Sequence, residues 1–365
     1  MTRQTIGIVG AGTMGAGIAE TALSHGFAVV LYDVSEEILT RARERIRDGL
    51  ARQVRHGRLT AEDAEKALAR LRLTTDLDEL GLAGLIIEAA PEDLTLKRDL
   101  FARLDRAAPP AAILASNTSS LSITALAEGA QRPQRIVGMH FFNPAPIMPL
   151  VEIIPGAATA DDVVAAAAAA ARALGKTPVE ARDTPGFIVN RIARPFYLEA
   201  LRLLADGVAS VDTIDRIVRA AGGFRMGPFE LLDLIGLDVN LAVTRSVYEA
   251  SGQEPRFRPH PIQEQMVRAG RLGRKSGRGF YVYEKGGATG TAEPTAQMNG
   301  SAAPVAPPHR AHAEPAHGLP PEWPGAVLVV GRGRLAEELA DAVRETGREV
   351  TTAPQAPDRS RRRSC

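Results

Sequence analysis

A single cysteine in 365 residues, and that one the last, Cys365, leaves this chain without a disulfide framework or a cysteine metal site. Charge of one sign is equally scarce. Lys and Arg number 44 against 43 Asp and Glu, a formal +1, so no basic field points to nucleic acid or to a membrane surface. No run approaches the roughly 18 strongly apolar residues of a membrane-spanning helix. Ala165–Ala171 is alanine-rich, but Asp161, Asp162 and Arg172 flank it and it reads as a helix. The N-terminus offers Arg3 and then only the short run Ile6–Val9, which ends in glycine: a strand, not a signal peptide. These absences lead us to expect a soluble, cytoplasmic protein with no metal, nucleic-acid or membrane partner, long enough for two domains with their own cores.

What is present first is alternation. Thr5–Val9 reads as a buried strand, Thr13–Ser24 as a helix and Ala28–Tyr32 as a second strand. Residues 36–70 read as a charged helical pair broken around His56-Gly57-Arg58, with Thr60 as an N-cap before acidic first-turn residues. Leu85–Ala90, Ala112–Ala115, Ile136–Met139, Val151–Ile154 and Thr177–Ala181 supply further strands. The expected fold class is therefore α/β, a Rossmann-type doubly wound parallel sheet over residues 1–184. From Pro185 apolar residues recur at helical spacing (Ile188, Ile192, Phe196, Leu201), which predicts an all-helical domain over 185–284.

Residues 285–322 are rich in Gly, Ala, Pro and Thr and poor in large apolar side chains, so a disordered linker is expected there. His309, His312 and His317 within it read as solvated spacer rather than a metal site. Residues 323–365 read as a partial β-α unit, Ala326–Val330 and a helix over Leu335–Glu345, followed by a Pro- and Arg-rich tail. Gly331-Arg332-Gly333 lacks a third glycine and a following acidic strand end, so it does not read as a second dinucleotide turn.

Gly10-Ala11-Gly12-Thr13-Met14-Gly15 joins the first strand to the first helix. In such a turn the first glycine permits the tight bend, the second lets backbone approach a pyrophosphate and the third allows close helix–strand packing. The helix N-terminus then offers free N–H groups and a positive dipole end. Asp33 ends the second strand, where a carboxylate can accept from both ribose hydroxyls and repel a 2′-phosphate. NAD is favoured over NADP.

The chemistry candidates lie further on. His140 follows the predicted strand Ile136–Met139, at the sheet edge where ligands of open α/β folds gather. A histidine is suited to taking an alcohol proton near neutral pH. Glu152 is positioned in sequence to accept the other ring N–H and fix the tautomer. Alone, a histidine after a strand is more often structural; the carboxylate makes it the better catalytic candidate. Ser119 and Asn190 are neutral groups suited to holding a substrate hydroxyl or carbonyl, although Ser119 sits in a Ser/Thr cluster that would equally cap a helix. Asn143-Pro144 would equally make a turn. A base, an orienting carboxylate, two neutral hydrogen-bonders and a nicotinamide site together point to hydride transfer at an alcohol carbon.

Gly7–Gly17 and the segments Ser116–Leu121, Gly138–Pro144, Leu150–Glu152 and Asp183–Arg191, with Met226–Asp233 and Gly273–Tyr281, resemble the 3-hydroxyacyl-CoA dehydrogenase family over about residues 5–284. The resemblance implies that His140 is the general base and Glu152 its partner, with Ser119 and Asn190 at the reacting end of the acyl group. It implies that Glu92, Lys97, Asn143 and Lys275 line the cofactor, with Ser119 touching both ligands. It also makes the helical pair after Asp33 a lip over coenzyme A. Where some relatives carry a serine and a lysine for coenzyme A, this chain has Gly49 and His56, and Arg52 and Arg55 are the candidates to replace them. The helical domain is expected to form a homodimer.

The linker and partial β-α unit resemble a longer tandem design associated with 3-hydroxyadipyl-CoA, of which this chain reads as a shortened version. The expected reaction is reversible oxidation of a 3-hydroxyacyl-CoA, 3-hydroxybutyryl or 3-hydroxyadipyl, to the 3-ketoacyl-CoA. The rival readings are a sugar-acid dehydrogenase on the same scaffold and a non-enzymatic NAD-binding protein.

Overall fold

Strict alternation of apolar side chains between two faces organises the sheet of this computed structural model, which describes residues 5–283, Arg344, and short strands at Thr291–Ala292, Val327–Val330 and Val350–Ala353. Ile6, Ile8, Val29, Leu31, Leu85, Ile87, Val137 and Met139 pack into one core. Their neighbours Val9, Val30, Ile86, Leu114, Ile136 and Ile154 pack into the other. Period-two side chains with both faces buried are what helices covering both sides of a sheet require.

Eight strands form the sheet: β1 (Thr5–Val9), β2 (Ala28–Tyr32), β3 (Leu71–Thr74), β4 (Leu85–Glu88), β5 (Ile113–Ser116), β6 (Ile136–Phe141), β7 (Leu150–Pro155) and β8 (Thr177–Glu180). Their order is β3-β2-β1-β4-β5-β6-β7-β8. The first six reproduce the dinucleotide-binding order, whose direction of winding reverses between β1 and β4. The core cluster beside α1 (Thr13–Ser24), α2 (Glu36–Arg55) and α6 (Asp161–Ala173) covers one face, while α4 (Leu94–Ala107) and α5 (Ile123–Leu126) cover the other. Between α2 and β3 lies α3 (Ala61–Leu68), capped by Thr60 as expected, its hydroxyl accepting from the Asp63 N–H. Ser35 caps α2 in the same way, and Leu39, Ala42, Ile46 and Leu50 form its buried stripe.

Two expectations need correction. The sheet is mixed, not wholly parallel: β7 pairs antiparallel with β6, and β8 pairs parallel with β7. Short apolar strands declare burial but not direction, since the alternation is the same either way. Second, β6 runs on through Phe141, so His140 lies inside the strand and not after it. The strand Leu71-Arg72-Leu73-Thr74 follows directly on the helical pair expected over residues 36–70 and was not among the expected strands.

The chain falls into two compact units, Met1–Val208 with Leu231–Thr291, and Ala209–Glu230 with Ala292–Cys365. Beyond the sheet, the first contains α7 (Val189–Ala205). The second contains α8 (Val211–Gly222), which ends at Gly223 in the left-handed conformation; Asp215 on it accepts from the Phe229 and Glu230 N–H groups. The helix α9 (Pro228–Ile235) spans the boundary, and α10 (Leu237–Ala250) and α11 (Pro261–Arg268) belong to the first unit. Val327–Val330 and Val350–Ala353 pair in parallel. Apart from these strands, Thr291–Ala292 and Arg344, the expected linker, the helix over 335–345 and the basic tail lie outside the described residues.

Candidate active site

The register of β6 against β7 places His140 directly opposite Glu152 on one face of the sheet. Their contact follows from it: Nδ1 of His140 lies 2.7 Å from Oε2 of Glu152. Both are buried, at 4% and 1% exposure. The other carboxylate oxygen, Oε1, accepts from the backbone N–H groups of Ile188 and Val189 at 2.9 and 3.0 Å. Those N–H groups open α7, which has no capping side chain of its own, so Glu152 supplies the missing cap across the structure. Burial by itself would raise the Glu152 carboxyl, but the bond from His140 and the two N–H donors outweigh it and hold it below the usual carboxylate range. An anionic Glu152 makes Nδ1 the protonated nitrogen. Nε2 is then the lone-pair atom.

Nε2 faces Ser119, whose Oγ is 3.1 Å away. Ser119 is held in turn by Glu92, whose Oε1 accepts from the Ser119 and Ser120 N–H groups and from the Thr118 hydroxyl. Asn190, in the first turn of α7, donates from Nδ2 to the Ser119 carbonyl at 3.3 Å. The rings of Phe142 and Phe187 flank the imidazole at 4.5 and 5.8 Å between centroids. The turn into α7 needs Gly186, at φ +75°, where a Cβ would press on the Arg191 nitrogen at 3.0 Å. His140, Glu152, Ser119, Asn190 and Glu92 thus come together.

The glycine-rich turn shows the division of labour expected of its three glycines. A Cβ at Gly10 would meet the Ala89 carbonyl oxygen at 2.7 Å, and one at Gly15 would overlap the Gly10 carbonyl oxygen at 1.7 Å. One at Gly12 would meet nothing within 4 Å. The first and third positions are closed by packing while the second opens outward, at the N-cap of a helix with no capping side chain. Asp33 lies beside it, its Oδ2 accepting from the Ala11 N–H at 2.8 Å. This cradle fits a dinucleotide phosphate and ribose.

The other expected contacts divide. Lys97 is buried at 1% exposure, with Nζ 2.5 Å from Glu88 Oε1, 3.1 Å from the Ala90 carbonyl and 3.5 Å from Glu92 Oε2. Lys275 pairs with Asp238 at the start of α10 at 2.5 Å. Asn143 and Thr13 line a cavity of about 680 Å³ against α1 and α2. Arg52, His56, Arg45 and Arg58 line it too, but Arg55 does not. At Gly49 a Cβ would fall 1.9 Å from Glu20 Oε2, so no serine fits there unless Glu20 moves. Glu20 and Lys176 are the buried charges of this cavity: burial raises the carboxyl against the bond from Gln53, and lowers the ammonium against the pull of Glu20.

Several residues that hold the site in place were not singled out from the sequence. Glu88 accepts from Lys97, the Ala90 N–H and the Ser116 hydroxyl. Asn117 Oδ1 accepts from the Phe141 N–H at 2.8 Å, tying the serine segment to β6. Asp183 accepts from the Ser122 hydroxyl and the Ile123 and Thr124 N–H groups. Glu88 was the accessible one, a carboxylate closing a buried strand as Asp33 follows β2.

Two family descriptions match the chain: "3-hydroxyacyl-CoA dehydrogenase, NAD binding domain" over residues 5–184 and "3-hydroxyacyl-CoA dehydrogenase, C-terminal domain" over 186–283. The chain is 53% identical over 278 residues to a 3-hydroxyadipyl-CoA dehydrogenase of Escherichia coli, covering 76% of this chain but only 58% of that protein. It is 42% identical to a probable 3-hydroxybutyryl-CoA dehydrogenase of Bacillus subtilis, covering 78% of this chain and 99% of the relative. Among solved structures, an (S)-3-hydroxybutyryl-CoA dehydrogenase from Ralstonia eutropha matches with a TM-score of 0.74 at 42% identity, over 78% of this chain and the whole of the other.

Proposed function

The chain belongs to the 3-hydroxyacyl-CoA dehydrogenase family of NAD-dependent oxidoreductases, and from that premise we propose that it interconverts an (S)-3-hydroxyacyl-CoA and the 3-ketoacyl-CoA with His140 as general base. The observation that carries the reading is the orientation of His140, whose Nδ1 is committed to Glu152 and whose Nε2 faces Ser119. Nε2 takes the proton of the substrate 3-hydroxyl, and Glu152 stabilises the imidazolium that results. NAD, when bound, supplies the acceptor for the hydride leaving C3. Ser119 Oγ and Asn190 Nδ2 hold the oxygen on C3 as it passes between hydroxyl and carbonyl. Phe142 and Phe187 keep water from the imidazole.

The residues that would hold NAD are Gly10, Ala11, Gly12, Thr13, Met14 and Gly15, with the N–H groups at the start of α1 turned to the pyrophosphate and Asp33 to the ribose. Glu92, Lys97, Asn143 and Lys275 complete the proposed cofactor contacts. We assign residues 1–184 to the cofactor, and 185–284 to the substrate and to pairing with a second copy. The half-exposed Leu234 and Val239 support the pairing. Arg52 is the proposed contact for the coenzyme A phosphates because it lines the cavity beside α2; Arg55 is the weaker partner in that role. We also propose a cytoplasmic placement; among the described residues no helix is long and apolar enough to cross a membrane.

The substrate is 3-hydroxybutyryl-CoA or 3-hydroxyadipyl-CoA, the acyl groups named for the relatives. Initial rates of NADH formation with CoA esters of graded length and terminal charge, beside free hydroxy acids, test the reading. Turnover of CoA esters alone is the expected result. Turnover of free hydroxy acids, or NAD binding with no turnover of any ester, would overturn it.

A further inference from the structure

Among the described residues, Arg194 is a buried cation with no anion paired to it. It lies on α7 one turn beyond Asn190, at 3% exposure. Its Nη1 donates to the Asn240 carbonyl and the Thr244 hydroxyl, both at 3.1 Å, and its Nη2 lies 3.5 Å from Asn190 Oδ1. The ring of Tyr197 sits 5.1 Å from the guanidinium carbon. Every one of these partners is neutral, and Nε has none among the described residues.

Neighbouring polar atoms are short of partners as well. Asn240 Oδ1 accepts from Gln263, but among the described residues Asn240 Nδ2 is unpartnered, as is Gln263 Oε1. Two of these three free atoms are donors. Burial lowers the Arg194 guanidinium to about 10, which leaves it charged at neutral pH. Leaving an ionised group inside a protein without a counter-ion is costly, and proteins rarely do so without a use. Of the buried lysines, Lys97 has Glu88 as its ion-pair partner, and Lys176 donates to two carbonyls within the pull of Glu20.

Position says what the missing anion is. Arg194 reaches Asn190, Asn190 donates to the Ser119 carbonyl, and the Ser119 hydroxyl meets His140. The guanidinium is therefore linked to the proposed base by consecutive polar contacts at the acyl end of the site. We infer that Arg194, aided by Asn240 Nδ2, receives the terminal carboxylate of a dicarboxylic 3-hydroxyacyl-CoA and so selects such substrates over chains ending in a methyl group. In a six-carbon diacid the carboxylate carbon is C6, a short reach from the reacting C3. A four-carbon monoacid ends before it and brings no charge. A planar guanidinium with a free Nε–H matches a carboxylate, and charge-assisted bonds of this kind are the strong ones.

This inference rests on the proposed dehydrogenase function, and the test separates the two. Initial rates are measured with 3-hydroxyadipyl-CoA and with 3-hydroxyhexanoyl-CoA, which has the same carbon count and a methyl end, on the wild type, Arg194→Met and Arg194→Lys. The wild type is expected to prefer the diacid. Arg194→Met should lower kcat/KM for the diacid about 10- to 100-fold more than for the monoacid, chiefly through KM, as loss of a hydrogen bond to a charged group does. Arg194→Lys, which keeps the charge, should retain part of the preference. Equal losses on both esters would mean that Arg194 only braces α7 against α10 and would overturn the inference, as would a wild-type preference for the monoacid. If Arg194→Met fails to fold, the wild-type comparison still decides. Absence of turnover on either ester would instead remove the dehydrogenase reading and this inference with it.

Discussion

His140 and Arg194 are two basic side chains within reach of the same asparagine segment, buried to 4% and 3% exposure, yet the fold treats them oppositely. His140 is given a carboxylate, Glu152, which is itself fixed by two backbone donors. Arg194 is given only a carbonyl, a hydroxyl, an amide and a ring. The difference teaches where a charge is needed. On the proposed mechanism the imidazole becomes a cation during turnover, and an anion permanently in place means that no reorganisation is required at the moment of reaction. On the inferred role of Arg194, its guanidinium is left unneutralised until the ligand arrives.

Three substitutions break the comparison, and the largest effect falls on the chemistry. His140→Ala removes the proton acceptor and should lower kcat about 10²- to 10⁴-fold, measured with a 3-hydroxyacyl-CoA at saturating NAD. Near-normal turnover would remove His140 from the mechanism. The next effect is on stability. Lys97→Met strands the Glu88 carboxylate in the interior and should cost about 3–5 kcal/mol in chemical denaturation. Arg194→Met strands no carboxylate, so its cost should be the smallest, about 1 kcal/mol, from the donors lost to Asn240 and Thr244. A destabilisation as large as that of Lys97→Met would mean that Arg194 has a structural counter-charge after all.

The sequence made the dinucleotide half legible because its signals are local. The glycine turn, the acidic strand end and the helix caps at Ser35 and Thr60 each depend on residues a few positions apart. The residue types of the dyad were legible too, but not what joins them, since nothing in Leu150-Val151-Glu152 says that β7 runs antiparallel to β6. Asn117 was hidden because its work is done by a single hydrogen bond to a residue that folding brings near, Phe141. Arg194 was the least visible. On an amphipathic helix an arginine is by default solvated, and this one is buried with its guanidinium bonded to Asn240 and Thr244 of α10, residues far away in sequence.

The account turns on Glu152 acting through His140, and a double-mutant cycle on kcat measures that most directly. His140→Ala, Glu152→Gln and the double variant are assayed with one 3-hydroxyacyl-CoA, beside NAD titrations of each. Glu152→Gln keeps the shape but removes the charge that stabilises the imidazolium, so it should lower turnover with NAD affinity nearly intact. Once His140 is gone, Glu152 has nothing left to orient, so the double variant should be little slower than His140→Ala alone. Effects that simply multiply in the double variant would contradict the dyad.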